Sequence, residues 1–303
     1  MPGKAVVVTD STASLPPEVA ERRGIIVVPL QVVIGATVYD EGPDGATPEM
    51  VAEALKEFRP VSTSRPSPAY LAEVFADAAH DGATEILSIH LSAEMSGTYE
   101  SALLAAREAP VPVTVVDSRQ VGVATGYAAL SAADVLDAGG TVSEAAAAAR
   151  ARAGAATALF YVDTLEYLRR GGRIGAAAAL LGGALSVKPL LRIDDGRVVN
   201  LDRVRTSARA LSRMEDLIVE AAGEQVVDVC VSHLANPDRA GELAGRLADR
   251  LADNLGEREV WCGELGAVLG AHVGPGMVAV CVAPLASADS DDGELGGESA
   301  HAE

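Results

Sequence analysis

Residues 85–117 read EILSIHLSAEMSGTYESALLAAREAPVPVTVVD. Glu85 to Leu91 sets Ile86, Leu87, Ile89 and Leu91 in a short apolar run, which predicts a buried strand. Thr98 to Ala109 is rich in Ala and Leu and predicts a helix. Val113 to Asp117 is a β-branched run and predicts a second strand. Strand, helix and strand in this order form a crossover unit, and crossover units join parallel strands. The stretch therefore sets the fold class as α/β.

The pattern extends in both directions. Ala5 to Val8 is an apolar strand ending in Thr9-Asp10-Ser11. Leu15 to Glu21 predicts a short helix with Ser14 as N-cap and Pro16 in its first turn. Ile25 to Val33 is a strand stretch interrupted at Pro29. Thr47-Pro48-Glu49 and Ser67-Pro68 each open a helix with a cap and a proline. Helices follow at Val121 to Ala138 and from Thr141, where Thr141 and Glu144 form a capping box. Residues 1–156 are thus expected to form a doubly wound parallel domain. Ligands of such sheets sit beyond the carboxyl ends of the strands. Asp10-Ser11, Ser92 to Ser96 and Asp117-Ser118 all lie at that edge and are expected to cluster.

From Thr157 the pattern changes. Lys188 to Ile193 and Arg197 to Leu201 flank Asp194-Asp195-Gly196, a hairpin turn signal. Strands are predicted at Leu159–Val162, Val226–His233, Glu259–Cys262 and Met277–Ala283, with helices at 165–170, 205–222 and 237–255. A hairpin beside crossover units predicts a second α/β domain over 157–285, with a mixed sheet. Residues 286–303 carry six acids and no Lys or Arg, and their composition predicts a disordered acidic tail.

Composition narrows the function. Hydrophobic residues make up 49% of the 303 and aromatics only 3%. The core must be built from Ala, Val and Leu, and the stacking rings that a single-strand nucleic-acid binder needs are scarce. A net charge of −19 repels phosphate backbones and anionic lipid surfaces. Glycines and charges interrupt every long apolar run, so no stable membrane insertion is expected. Met1 to Asp10 reads as a strand rather than a signal peptide. Cys230, Cys262 and Cys281 show no paired spacing, which suggests reduced, buried thiols and a cytoplasmic protein.

Three polar patches stand out: Thr63-Ser64-Arg65-Pro66, Ser96-Gly97-Thr98 and His272-Val273-Gly274-Pro275-Gly276. They offer hydroxyls and one imidazole, with no carboxylate pair and no His/Cys metal cluster. That equipment suits holding a small anion such as a carboxylate. Helix capping alone would account for Ser96-Gly97-Thr98, yet the same geometry aims amides and a hydroxyl at an anion. Thr63-Ser64 reads equally as a turn feeding a helix. The glycines after His272 allow close backbone approach to a ligand. No phosphate loop is present, and the glycines at 171–175 lack dinucleotide spacing, so no cofactor is expected. Ser96 lacks the first glycine of a nucleophile elbow. A Ser96–His272 hydrolase remains an alternative, as does a non-catalytic protein adaptor. Arg169 to Arg213 holds ten Lys/Arg against three acids, a basic island suited to docking an acidic or nucleotide-bearing partner.

Taken in order, Val8-Thr9-Asp10-Ser11-Thr12, Thr63-Ser64-Arg65-Pro66-Ser67, Ser96-Gly97-Thr98-Tyr99-Glu100-Ser101, Val116-Asp117-Ser118, Tyr167-Leu168-Arg169-Arg170-Gly171-Gly172-Arg173-Ile174, Lys188-Pro189 and His272 to Gly276 resemble the DegV family of bacterial fatty-acid-binding proteins. Arg65 departs from it, since the family commonly carries glutamine there. The resemblance implies two α/β domains with a long-chain fatty acid buried between them. It implies that Thr63, Ser64, Ser96, Gly97 and His272 surround the carboxylate. It also implies a non-catalytic subunit that presents the acid to a separate ATP-dependent fatty acid kinase, with Arg170, Arg173 and Arg205 docking that partner. Burying a methylene is worth roughly 0.8 kcal/mol, so about sixteen carbons gain on the order of 10 kcal/mol before ordering costs. An apolar tunnel can therefore hold the tail while neutral donors fix the head. The stretch from Ile174 to Leu185 is a candidate tunnel wall.

Overall fold

Strand β1 (Lys4–Asp10) leads through a 3-10 turn at Ser11–Ala13 into α1 (Pro17–Arg22). Next come β2 (Ile26–Val28), β3 (Gln31–Ile34), β4 (Thr37–Asp40), α2 (Pro48–Lys56), β5 (Val61–Ser64), α3 (Pro68–His80) and β6 (Ala83–His90). Then α4 (Thr98–Ala106), β7 (Val113–Asp117), α5 (Val123–Asp137) and α6 (Val142–Ala155) follow. The second half runs β8 (Thr157–Tyr161), α7 (Glu166–Arg170), a 3-10 turn at Gly175–Leu180, β9 (Lys188–Asp194), β10 (Arg197–Val204) and α8 (Ser207–Ala222). It ends with β11 (Val227–His233), α9 (Pro237–Arg250), α10 (Ala252–Leu255), β12 (Trp261–Glu264), α11 (Ala267–Val273) and β13 (Val278–Pro284). The computed structural model describes residues 4–180 and 188–285. The acidic tail and the part of the candidate tunnel wall beyond Leu180 lie outside the described residues.

The first sheet is parallel, in the order β2-β1-β6-β7. Alternation along its strands sends Val7, Leu87, Ile89 and Val116 to one face and Val8, Val28 and Ile86 to the other. The first face meets the alanine faces of α5 and α6, where Ala128, Ala129, Ala132, Ala145 and Ala149 are fully buried. With methyl side chains along much of their contact, these two helices pack closely. The other face meets α3 and α4 through Leu71, Phe75 and Ala102. The second large sheet is mixed, in the order β10-β9-β8-β13-β11-β12, and α8 and α9 cover one face of it. Asp195 and Gly196 both take positive φ, the backbone of a two-residue hairpin turn joining β9 to β10.

Two readings are corrected. Ser14 does not cap α1; it sits at φ 53 and closes the 3-10 turn. Pro16 and Pro17 each bar the preceding residue from helical backbone, so α1 starts at Pro17. The parallel sheet is also not alone in the first half. A three-stranded antiparallel sheet, β4-β3-β5, stands beside it. Its strands are short, and β5 reads Val-Ser-Thr-Ser, so it gives no apolar alternation. Helix α11, from the second half of the chain, packs on this small sheet through Ala267, Val268 and Ala271. That crossing joins the two halves.

Candidate functional site

Alternation along β5 turns Thr63 inward and leaves Ser64 exposed on the opposite face. Ser64, expected beside the head group, therefore lies away from the cavity and approaches only the Arg65 carbonyl. Opposite Thr63 stands α11, whose N-terminal turn is held by Glu41: Val268 donates its amide to Glu41 Oε1 at 2.8 Å. Burial pushes the Glu41 carboxyl above its usual range. The helix so anchored carries His272 in its last turn. Thr63 Oγ1 and His272 Nε2 are 2.8 Å apart.

His272 Nδ1 is buried and has no partner among the described residues. Burial, and then the nearby Arg173 charge, lower the imidazole pKa to about 4. The ring is neutral at physiological pH and holds one proton. With that proton on Nε2, His272 donates to Thr63, and the Thr63 hydroxyl proton is free to point at a ligand oxygen. Ser96 lines the same cavity, its Oγ 2.8 Å from Thr98 Oγ1 and accepting from the Thr98 amide. Ser96 thus answers the first amide of α4 and also borders the cavity. Gly97, the N-cap of α4, lies beneath the Arg65 guanidinium, which crosses the place a Cβ would occupy.

Arg173 is the residue that sequence reasoning placed differently. It was expected on a docking surface, and it lines the cavity beside Thr63, Ser96 and His272. Its Nε donates to the Met95 carbonyl at 3.0 Å and its Nη1 to the Gly171 carbonyl at 2.6 Å. The head end therefore holds a fixed cation as well as neutral donors. Spacing gave no signal for this, because the ten basic residues of the island look alike in sequence. Several others are paired by acids from outside it: Arg169 and Arg170 by Glu166, Lys188 by Asp163, Arg197 by Glu94. Arg170 and Arg205 are exposed.

Beyond this polar end the cavity is apolar. Its empty space, counted out through the open mouth, is about 930 Å3. Leu30, Leu91, Met95, Leu168, Val198 and Leu269 wall it, and Val121 to Val123 enter it ahead of α5. Its floor is the face of the mixed sheet opposite α8 and α9. There Ala158 and Cys281 stand in register and line it, with Cys230 next in the row, and Phe160, Ala279 and Ser232 form the next row. Thr63, Arg173 and His272 also line a second, outer groove that carries Arg59 and Arg170, so the polar end faces the surface. Burial pushes the Cys230 thiol up to about 12 and raises Cys281 as well, while Cys262 is exposed, contrary to the expectation that all three are buried.

The edge residues Asp10, Ser92 and Asp117 do gather, but as scaffolding. Asp10 accepts from the Leu91 amide and the Thr12 amide and meets His90 Nδ1 at 2.9 Å, while His90 Nε2 meets Ser88 Oγ at 2.7 Å. This Ser–His–Asp array is fully buried. Ser92 Oγ donates to the Gly196 carbonyl at 2.8 Å and pins the β9–β10 hairpin over the loop that carries Ser96. The Ser96–His272 dyad does not form among the described residues: each side chain has a different hydroxyl partner, and no carboxylate orients the imidazole. No cluster of metal ligands occurs among the described residues. No helix among them is long and apolar enough to cross a membrane.

Comparison with known proteins places this geometry. The DegV family model, described as "Uncharacterised protein, DegV family", matches residues 4–285. A DegV domain-containing protein of Streptomyces coelicolor is 52% identical over 276 residues, 91% of this chain and 97% of that protein. One from Deinococcus radiodurans is 38% identical, over 93% of this chain and 99% of that protein. Among solved structures, a fatty-acid-binding DegV family protein from Thermus thermophilus superposes with a TM-score of 0.86 at 33% identity, covering 93% of this chain and all of the other. DegV of Bacillus subtilis, described as a fatty acid binding protein, gives 0.85 at 30% identity with the same coverage. Family match and shared architecture agree over the whole described length, and the chain belongs to the DegV family.

Proposed function

We propose that this protein binds a long-chain fatty acid in the apolar cavity and holds its carboxylate at Thr63, Ser96 and His272, with Arg173 supplying the counter-charge. The observation that carries the reading is one cavity, largely apolar along its length, with Thr63, Ser96, Arg173 and His272 gathered at one end. Fatty acid binding by the Thermus and Bacillus relatives supports it. The acid is presented rather than transformed. Its carboxylate reaches the surface at the outer groove, where an ATP-dependent kinase subunit in the cytoplasm would place its phosphoryl donor and form the acyl phosphate. Arg170 and Arg205 offer that partner exposed cations, and Arg173 serves the head group.

Native mass spectrometry of the purified protein, followed by lipid identification, tests the reading. The expected result is a mass increment of one fatty acid, lost in a Thr63→Ala/Ser96→Ala variant. Each charge-assisted hydrogen bond removed costs roughly 1.5–3 kcal/mol, about ten- to a hundredfold in affinity. A protein that takes up no acid from a mixed pool refutes it.

A further inference from the structure

The far end of the cavity carries a second conclusion, which rests on the acyl-binding reading above. Two elements trace the cavity axis independently. Along β11, Ser232, Cys230 and Asp228 share the face turned away from α8 and α9. Ser232 lines the acyl cavity, whereas Asp228 lines a different, polar pocket. Along α5, Val123 lines the cavity, and Tyr127, one helical turn further, lines the polar pocket together with Ser131 and Asp134. Both traces pass from one space to the other at the same level.

Val123 is the last residue of α5 to line the cavity, and the Tyr127 ring stands one turn beyond it, at the polar pocket. The sheet offers only small side chains at this level, Ala158, Cys281 and Cys230 in one row. The phenol is buried, with the Cys230 and Cys281 thiols near it. The ring is also clamped. The Arg152 guanidinium lies 5.4 Å from its centroid, pairs with Asp228 and donates to the Pro284 carbonyl. Arg152 is 5% exposed, so the clamp cannot swing into solvent. In a chain with 3% aromatics, one bulky ring stands beside a row of small side chains, Ala158, Cys281 and Cys230.

We propose that Tyr127, held by Arg152 and Asp228, is the stop at the methyl end of the cavity and sets the longest acyl chain the protein accepts. Cutting the ring back joins the cavity to the polar pocket, whose own space is about 710 Å3 with its mouth and whose wall includes Val19 and Leu130. Each further methylene then buried favours binding about fourfold.

The test offers the full chain an equimolar mixture of straight-chain acids from fourteen to twenty-two carbons and identifies what native mass spectrometry finds bound. Wild type shows a cut-off in length. Tyr127→Ala moves that cut-off up by two or more carbons and raises an acid two carbons past it about fifteenfold relative to the preferred one, by the same scale. Tyr127→Phe leaves it in place. An unchanged cut-off in Tyr127→Ala overturns the stop and leaves acyl binding standing. No acid on wild type sinks both readings. Should Tyr127→Ala fail to fold, Cys281→Leu fills the row in front of the ring and lowers the cut-off; a cut-off that stays put in this variant overturns the proposal equally.

Discussion

His90 and His272 each set Nε2 against a hydroxyl, Ser88 at 2.7 Å and Thr63 at 2.8 Å. They differ at the other nitrogen. His90 Nδ1 faces Asp10 Oδ2 at 2.9 Å, in a network with no exposed atom of Asp10 or His90. His272 Nδ1 has no partner among the described residues, and the hydroxyl it meets borders a cavity. A buried network with every valence answered holds the fold together. One with an unanswered valence beside a cavity is arranged for something that arrives later. By that criterion the array resembling a catalytic triad is a brace, and the modest pair at Thr63 is the proposed site.

The largest effect expected from this contrast falls on the brace. Asp10→Ala strips the partner from His90, the Leu91 amide and the Thr12 amide together. Each buried donor left without its acceptor costs roughly 1–3 kcal/mol. Urea denaturation should show a midpoint well below wild type. A wild-type midpoint would mean that Asp10 does not hold the edge of the sheet, and the contrast with His272 would collapse.

The two histidines also show what the sequence made legible. The strand–helix alternation, the Thr141–Glu144 capping box, the Asp195-Gly196 hairpin and the change of pattern at Thr157 all rest on local periodicity and turn chemistry, and each forms where expected. Strand β5 did not announce itself, because a run of hydroxyls has no apolar alternation. That single gap hid which of Thr63 and Ser64 faces inward. The role of His90 was invisible for a different reason: Asp10 lies 80 residues away, and β1 and β6 become neighbours only in the folded sheet. The place of Arg173 depends on how the turn after α7 folds back over the loop bearing Met95, which spacing along the chain does not encode.

A smaller effect separates the histidines by pH. The His272 imidazole is lowered from 6.5 to about 4, chiefly by burial. Between these values the unfolded chain binds the proton and the folded chain does not, so this contribution is complete above about pH 6.5 and is lost as pH falls toward 4. At 1.36 kcal/mol per pH unit it amounts to about 3 kcal/mol at most. Carboxylates also titrate in this window, but they are common to wild type and His272→Asn. The difference between the two in urea midpoint, measured at pH 7, 5.5 and 4.5, isolates the imidazole. Wild type should lose more stability than the variant on acidification. Parallel losses would show that His272 does not sit neutral against Thr63.

The smallest expected effect distinguishes position from fold. Gly171 has helical backbone, φ −72 and ψ −10, so alanine there carries no backbone strain. A Cβ at this position would lie 2.1 Å from His272 Nδ1. The ring must move, and its contact with Thr63 goes with it. One hydrogen bond is worth about 1 kcal/mol, roughly fivefold in affinity. Gly172 is the control. It takes φ +72, where alanine is strained, yet a Cβ there meets nothing within 4 Å. Gly171→Ala should weaken fatty acid binding, with a loss of stability no larger than that one hydrogen bond, about 1 kcal/mol. Gly172→Ala should lower the midpoint, by about 1 kcal/mol, and leave binding unchanged. If the two variants lose stability and affinity in the same proportion, position and fold are not separable at His272, and the distinction between brace and site fails at its finest point.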